Sequence, residues 1–192
     1  MSRELELLNE LKDFVGFTDE DARLLADMQP MLTSGAPAVA EAFYANLLRF
    51  PTTRKVLDAE YGRVKRLKRT NQVWFTELGN GEYGAAYAAR RYAIGKVHVR
   101  VHLPSRYMVL AMNVVRGMAL QMVDRAYAAA ADREARKAAL NKILDIDLAM
   151  MVQSYDDWQV SFVMDALDIT PDQFAEMMEA EYERTIPIGL EG

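Results

Sequence analysis

Apolar residues recur three and four positions apart along almost the whole chain, and no stretch alternates long enough to specify a strand beyond the short run Val97 to Val101. The pattern predicts an all-α fold. A short helix is expected over about Leu5 to Val15. A second runs from Asp19 towards Met31, with Thr18 and Asp19 as candidate caps and Pro30 bending or ending it. Pro37 suits the first turn of a third helix, on which Val39, Phe43, Leu47 and Phe50 share a stripe bordered by Tyr44, and Pro51 closes it. From about Glu60 to Leu78, the residues Val64, Leu67, Trp74 and Leu78 fall on one face, with the polar Asn71 in the same seam. Gly79-Asn80-Gly81 breaks the chain. The next helix carries Tyr87, Ile94, His98 and Val101 on its inner face until Pro104 stops it. Two long helices, roughly Ser105 to Ala131 and Asp132 to Leu167, are expected to form an antiparallel hairpin. Thr170-Pro171-Asp172-Gln173 then reads as a capping box with proline at the first helical position, opening a short acidic helix that ends near Thr185.

Composition narrows this picture. With 192 residues, 51% hydrophobic and 27% charged, the chain has enough material for one well-packed domain and too little for two. The absence of cysteine removes disulfides, iron–sulfur clusters, thiolate-ligated haem and cysteine-rich zinc sites, and fits a reducing cytoplasm. Met1-Ser2-Arg3-Glu4-Leu5-Glu6 lacks the positive start and apolar core of an export signal, so a cytoplasmic location is expected. The most apolar segment, Met108 to Val123, is broken by Asn113, Arg116 and Gln121 and reads as a core helix, not a membrane span. A net charge of −5 argues against general attraction to nucleic acid or anionic lipid.

The residue best suited to chemistry is His98, one of two histidines, on the inner face of a helix among apolar neighbours. A neutral imidazole there can serve as an iron ligand, although a lone inward histidine is more often a satisfied core residue. His102 lies four positions on. The two could share a metal, but no nearby acid completes a zinc triad, and a donor side chain in a last helical turn complements the helix C-terminus. The basic residues Arg63, Lys65, Arg66, Lys68, Arg69, Arg90, Arg91, Lys96 and Arg100 admit three readings: propionate partners, an acidic-partner surface, or mostly a solvated helix face. The 12 methionines read as core filling.

The run Arg91-Tyr92-Ala93-Ile94-Gly95-Lys96-Val97-His98-Val99-Arg100, followed by Leu103-Pro104 and Tyr107, resembles the haem-ligating segment of the globin-coupled sensor family. Ala42-Phe43-Tyr44-Ala45-Asn46-Leu47-Leu48 with Pro51, Leu67-Lys68-Arg69-Thr70, and Leu140-Asn141-Lys142-Ile143-Leu144-Asp145 running to Tyr155 agree in order and spacing. The resemblance covers about Leu5 to Asp165. It implies a protoglobin-like sensor globin fold, with an extra N-terminal helix and a long C-terminal helical hairpin, holding haem b between the helices of Tyr44, Leu67 and His98. His98 would be the proximal ligand, and Tyr44 the distal donor to a bound gas. Without the resemblance, Tyr44 reads as an edge residue with its hydroxyl in solvent. Leu67 would exclude water, Thr70 or Asn71 would offer a second distal polar group, and Phe43, Ile94 and Tyr107 would line the cofactor. A threonine one turn beyond Leu67 can instead bond its own helix backbone.

The same resemblance implies dioxygen as ligand, with carbon monoxide, nitric oxide or cyanide as others, and a homodimer formed by the two long C-terminal helices. The stripe Leu140, Leu144, Leu148, Met151 and Tyr155, with Ile143, Met150 and Trp158 off it, offers more apolar surface than one core face needs, which also points to a dimer. Residues 1–167 would form the sensor domain, and 168–192 a short acidic helix or the start of a linker to a transmitter such as a histidine kinase, a diguanylate cyclase or a chemotaxis transducer. The chain is then either the sensor part of a larger protein or a single-domain member. A gas sensor without catalysis of its own is the leading expectation. A haem protein that detoxifies nitric oxide or reactive oxygen species and a cofactor-free helical interaction module are the alternatives.

Overall fold

In a computed structural model that describes residues 1–185, every regular element is a helix. The elements are α1 (Arg3–Phe14), α2 (Asp19–Asp27), α3 (Gln29–Leu47), α4 (Pro51–Leu57), α5 (Arg63–Glu77), α6 (Ala85–Arg100), α7 (Arg106–Ala126), α8 (Arg133–Leu167) and α9 (Pro171–Thr185). Two compact units are distinguishable, residues 1–155 and residues 156–192.

In the first unit, Thr18 caps α2 through a full capping box. Its hydroxyl accepts from the Asp21 N–H at 3.2 Å, and the Asp21 carboxylate accepts from the Thr18 N–H at 2.8 Å. The third helix departs from expectation. It begins at Gln29, with Pro30 in its first turn, and runs through Pro37 to Leu47. Pro37 sits on the exposed face, and the buried residues Leu32, Ala36, Val39 and Ala40 hold the helix across it. Phe50 is exposed, off the predicted stripe, and Pro51 opens a further short helix, α4, that the pattern did not reveal. Seven residues give too few apolar repeats to register. The buried Thr53 fixes the α3–α4 joint by donating its hydroxyl to the Leu47 carbonyl and, at 3.1 Å, to that of Phe50.

Helix α3 crosses α5 and packs on α7, while α1 packs on α6. At the α3–α7 contact a Cβ on Gly35 would collide with the side chain of Met122, so glycine permits the approach. The α7–α8 pair is antiparallel, as expected. Arg116 reaches Asn141 at 2.9 Å and also Asp145, whereas Lys137 reaches Asp124 at 3.1 Å. The buried face of α8 is Ala139, Leu140, Ile143, Leu144, Ile146, Asp147, Met150, Met151 and Ser154. Ile143 and Met150, expected off the core stripe, are therefore inside it, and Leu148 and Tyr155 flank it.

In the second unit, the rings of Trp158 and Phe162 pack at a tilt, with centroids 6.0 Å apart. The predicted capping box opens α9: Thr170 N–H donates to Gln173 Oε1 at 2.8 Å, and Gln173 N–H to Thr170 Oγ1 at 3.2 Å. Residues 186–192, the end of the expected tail, lie outside the described residues. No helix among the described residues is long and apolar enough to cross a membrane.

Candidate functional site

His98 lies in the last turn of α6, half-buried. Its Nδ1 stands 2.8 Å from the Ile94 carbonyl oxygen one turn back. A carbonyl only accepts, so Nδ1 carries the proton and Nε2 keeps its lone pair, the tautomer a metal ligand needs. Burial pushes the imidazole below its ordinary pKa against the opposing pull of the Ile94 carbonyl, which favours the neutral ring. The helix stops immediately afterwards. His102 N–H donates to the Val99 carbonyl at 2.9 Å and Leu103 N–H to that of His98 at 3.0 Å, with His102 at φ 55° in the left-handed region. This is a Schellman end. His102 is exposed and lies just beyond the helix, where it ends α6 through its backbone, not in the last turn where it was expected.

The second group of predicted residues forms a small apolar cluster apart from the main core. Tyr44, Leu47, Leu57 and Ala111 are buried together, with Phe43, Leu48, Val64 and Leu67 packed on them. Tyr44 is 7% exposed, so its ring is buried in the cluster and not at a solvated edge. Its ring meets Phe43 edge-on at 5.0 Å, and among the described residues its hydroxyl has no hydrogen-bond partner. Burial pushes the phenol above its ordinary range, so it remains a neutral O–H donor. Asn71 follows one turn after Leu67 on α5, and its Oδ1 is buried without a partner. Thr70 is exposed and donates to the Arg66 carbonyl of its own helix at 3.4 Å. Tyr107, half-buried at the start of α7, carries the Arg106 guanidinium over its ring at 5.2 Å. The structure thus brings Tyr44, Phe43 and Leu67 into one cluster and sets His98 with Ile94 on α6. Leu57 and Ala111 were missed, since α4 was unassigned and alanine carries no signal of its own.

A polar junction was also missed. Arg91, grouped with the solvated basic residues, is 1% exposed. Its Nη1 donates to Glu77 Oε2 at 2.6 Å and its Nη2 to the Trp74 carbonyl at 3.2 Å; its Nε lies 2.8 Å from Asp147 Oδ2, in ionic contact but not aimed as a hydrogen bond. Asp147, with no exposed surface, accepts from Tyr87 Oη at 2.5 Å and Trp74 Nε1 at 2.9 Å. Arg91 also covers the Tyr87 ring at 4.2 Å. Burial pushes the Asp147 carboxyl up, and Arg91 followed by Tyr87 and Trp74 opposes that push. The signal was present in the sequence: Asp147 occupies an inner position between Leu144 and Met151 on α8, and a buried acid requires a partner.

The all-helical fold, with an imidazole at the end of one helix and a phenol in a separate apolar cluster, is that of a globin domain. The family model described as Protoglobin matches residues 4–159, and the chain belongs to that family. It is 29% identical over 164 residues to the Heme-based aerotactic transducer HemAT of Halobacterium salinarum, covering 81% of this chain and 34% of the relative. The chain thus spans about a third of that relative's length. Among solved structures it is similar to the globin domain of a Geobacter sulfurreducens globin-coupled sensor, at 38% identity and a TM-score of 0.72, covering 77% of this chain and 96% of that one. The ferric globin domain of E. coli DosC shares the fold at 17% identity and a TM-score of 0.62, covering 77% and 99% of the two chains.

Proposed function

We propose that the chain is a haem-based gas sensor domain that binds dioxygen reversibly and catalyses nothing itself. The observation that carries this reading is the His98 side chain, with Nδ1 tied to the Ile94 carbonyl and Nε2 available as an iron ligand. The residues fit a haem b: the Tyr44 cluster supplies an apolar wall, and Tyr44 supplies a hydroxyl with no competing acceptor among the described residues. The printed names of the relatives support the same reading, one as a haem-based aerotactic transducer and one as a globin-coupled sensor. Haem iron, when held, supplies a site for a diatomic gas. His98 would hold the cofactor, Leu67 and Val64 would exclude water, and Tyr44 would donate to the gas that carries more negative charge, dioxygen ahead of carbon monoxide. The buried but unpartnered Asn71 is better placed than the exposed Thr70 to supply a second distal polar group.

Homodimer formation through α7 and α8 belongs to this reading. Val109 and Leu110 on α7, and Phe162, Val163 and Leu167 on α8, are large apolar side chains left exposed. Residues 1–167 act as the sensor, and α9 leads from it towards a transmitter.

The deciding experiment is an absorption spectrum of the protein supplied with haem, as ferric, ferrous, and ferrous in air. A Soret band that moves to a stable oxygenated form is expected for the wild type, with loss of stoichiometric haem in His98→Ala. Identical spectra in the variant remove His98 from the ligand role. Rapid turnover of nitric oxide or peroxide with an added reductant would favour an enzyme instead.

A further inference from the structure

Two successive turns of α6 are held by α8. At the first, Arg91 meets Asp147 at 2.8 Å. At the second, one turn later on both helices, the backbones themselves touch. A Cβ on Gly95 would collide with the Met151 carbonyl oxygen and stand 2.6 Å from both Ser154 Cβ and the Tyr155 nitrogen. Only glycine permits that approach. Ser154, fully buried, donates its hydroxyl across the same contact to the Tyr92 carbonyl. His98 lies one turn beyond Gly95, and the carbonyl that fixes its ring belongs to Ile94, the neighbour of Gly95.

We propose that the Gly95–Ser154 crossing is a positioning joint: α8 sets where α6 holds His98, and displacement of His98 on gas binding is delivered to α8 between Met151 and Tyr155. The proposal rests on His98 being the haem ligand. A contact made through long side chains absorbs a small shift by changing rotamers. A backbone-on-backbone contact locked by a hydroxyl has no such slack. The Arg91–Asp147 pair one turn earlier keeps α6 from sliding along α8, so movement at His98 turns α6 about Gly95 and presses on the α8 backbone.

The test uses the haem-loaded chain and two readouts: the iron–histidine stretching band of the ferrous form by resonance Raman, and amide hydrogen exchange across residues 149–158 with and without carbon monoxide. The wild type is expected to change its exchange in this segment on carbon monoxide binding. Ser154→Ala should shift the band and at least halve that change, and Gly95→Ala should do both more strongly. Leu25→Ala, a core deletion on α2, which packs on α3, should leave both readouts as in the wild type, which separates positioning from lost stability. Should Gly95→Ala fail to fold, Ser154→Ala decides alone. His98→Gly supplied with imidazole should bind haem and gas while losing the exchange response, because the new ligand is no longer tied to α6. An unshifted band with a full exchange response in Ser154→Ala, or a full response in His98→Gly with imidazole, overturns the joint. Wild-type haem spectra in His98→Ala without imidazole overturn instead the ligand reading beneath it.

Discussion

Two parts of the core treat their polar groups in opposite ways. Around Asp147, each buried charge faces an opposite one: Arg91 lies between Asp147 and Glu77, and Tyr87 and Trp74 bring donors to the same carboxylate. Around Tyr44, the neighbours are Leu47, Leu57, Ala111, Phe43 and Leu67, and the phenol has no partner among the described residues. Low dielectric raises the stakes in both places. The first arrangement spends its polar groups on joining α5, α6 and α8. The second leaves a donor uncommitted among apolar neighbours, free for a small polar ligand in the proposed function.

Breaking the joined region should give the largest effect. Asp147→Ala leaves Arg91 buried beside Tyr87 with one of its two counter-charges gone, and a loss of about 3–5 kcal/mol is expected from urea unfolding of the haem-free protein. The double variant Arg91→Met with Asp147→Leu should recover only the part of that loss that comes from stranding the Arg91 charge, because Tyr87 Oη and Trp74 Nε1 still lose their acceptor. A loss under about 1 kcal/mol in Asp147→Ala would mean that the junction is wet, and the contrast with the Tyr44 cluster would disappear.

The converse is expected of Tyr44→Phe. Its stability should stay within about 1 kcal/mol of the wild type, since no protein hydrogen bond is lost. Dioxygen dissociation should quicken by roughly tenfold or more, the equivalent of one charge-assisted hydrogen bond of about 1.5–3 kcal/mol, with carbon monoxide dissociation changed far less. Flash photolysis and stopped-flow mixing measure both gases. Equal acceleration of the two would place the hydroxyl away from the ligand.

The same contrast marks where sequence reasoning reached and where it stopped. Long helices with one clear stripe were legible, as were Thr18 as a cap, the capping box of α9, the α7–α8 hairpin and the inward His98, because each is encoded within a few turns. The α4 helix was not, being two turns long and opened by a proline that reads equally as a stop. Pro37 misled for a related reason: local propensity favours a helix start there, and burial of Leu32, Ala36 and Val39 on the far side overrides it. Arg91 looked like its neighbours Arg90 and Lys96, since its partners Glu77 and Asp147 lie 14 and 56 positions away along the chain. Ser154 and Gly95 were silent because small residues show their use only where two helices cross.

Asn71 tests whether the unpartnered state is confined to Tyr44. Its buried Oδ1 lacks a donor, so Asn71→Leu should stabilise the haem-free protein by about 1 kcal/mol, read from the urea midpoint. If the variant is instead less stable, Asn71 belongs with the joined region.

The smallest effect is expected at the rim of the satisfied class, where Asp21 accepts from Thr18 N–H at 2.8 Å, Thr18 Oγ1 at 2.9 Å and Lys142 Nζ at 2.8 Å. Burial pushes its carboxyl up, but Lys142 and Thr18 together outweigh burial and hold it below the ordinary aspartate value. A carboxyl depressed in the folded state stabilises fully above its unfolded pKa of about 3.9, and that contribution fades as pH falls through the folded value. Asp21→Asn should therefore lower stability by up to about 1 kcal/mol at pH 7, the size of a capping interaction, and the gap to the wild type should hold down to about pH 5 and shrink below pH 4. Urea titrations of both proteins between pH 7 and 3 measure that gap directly. A gap that persists undiminished at pH 3 would trace the effect to the shape of the capping box and not to its charge, and would restrict the satisfied class to the buried Arg91–Asp147 junction.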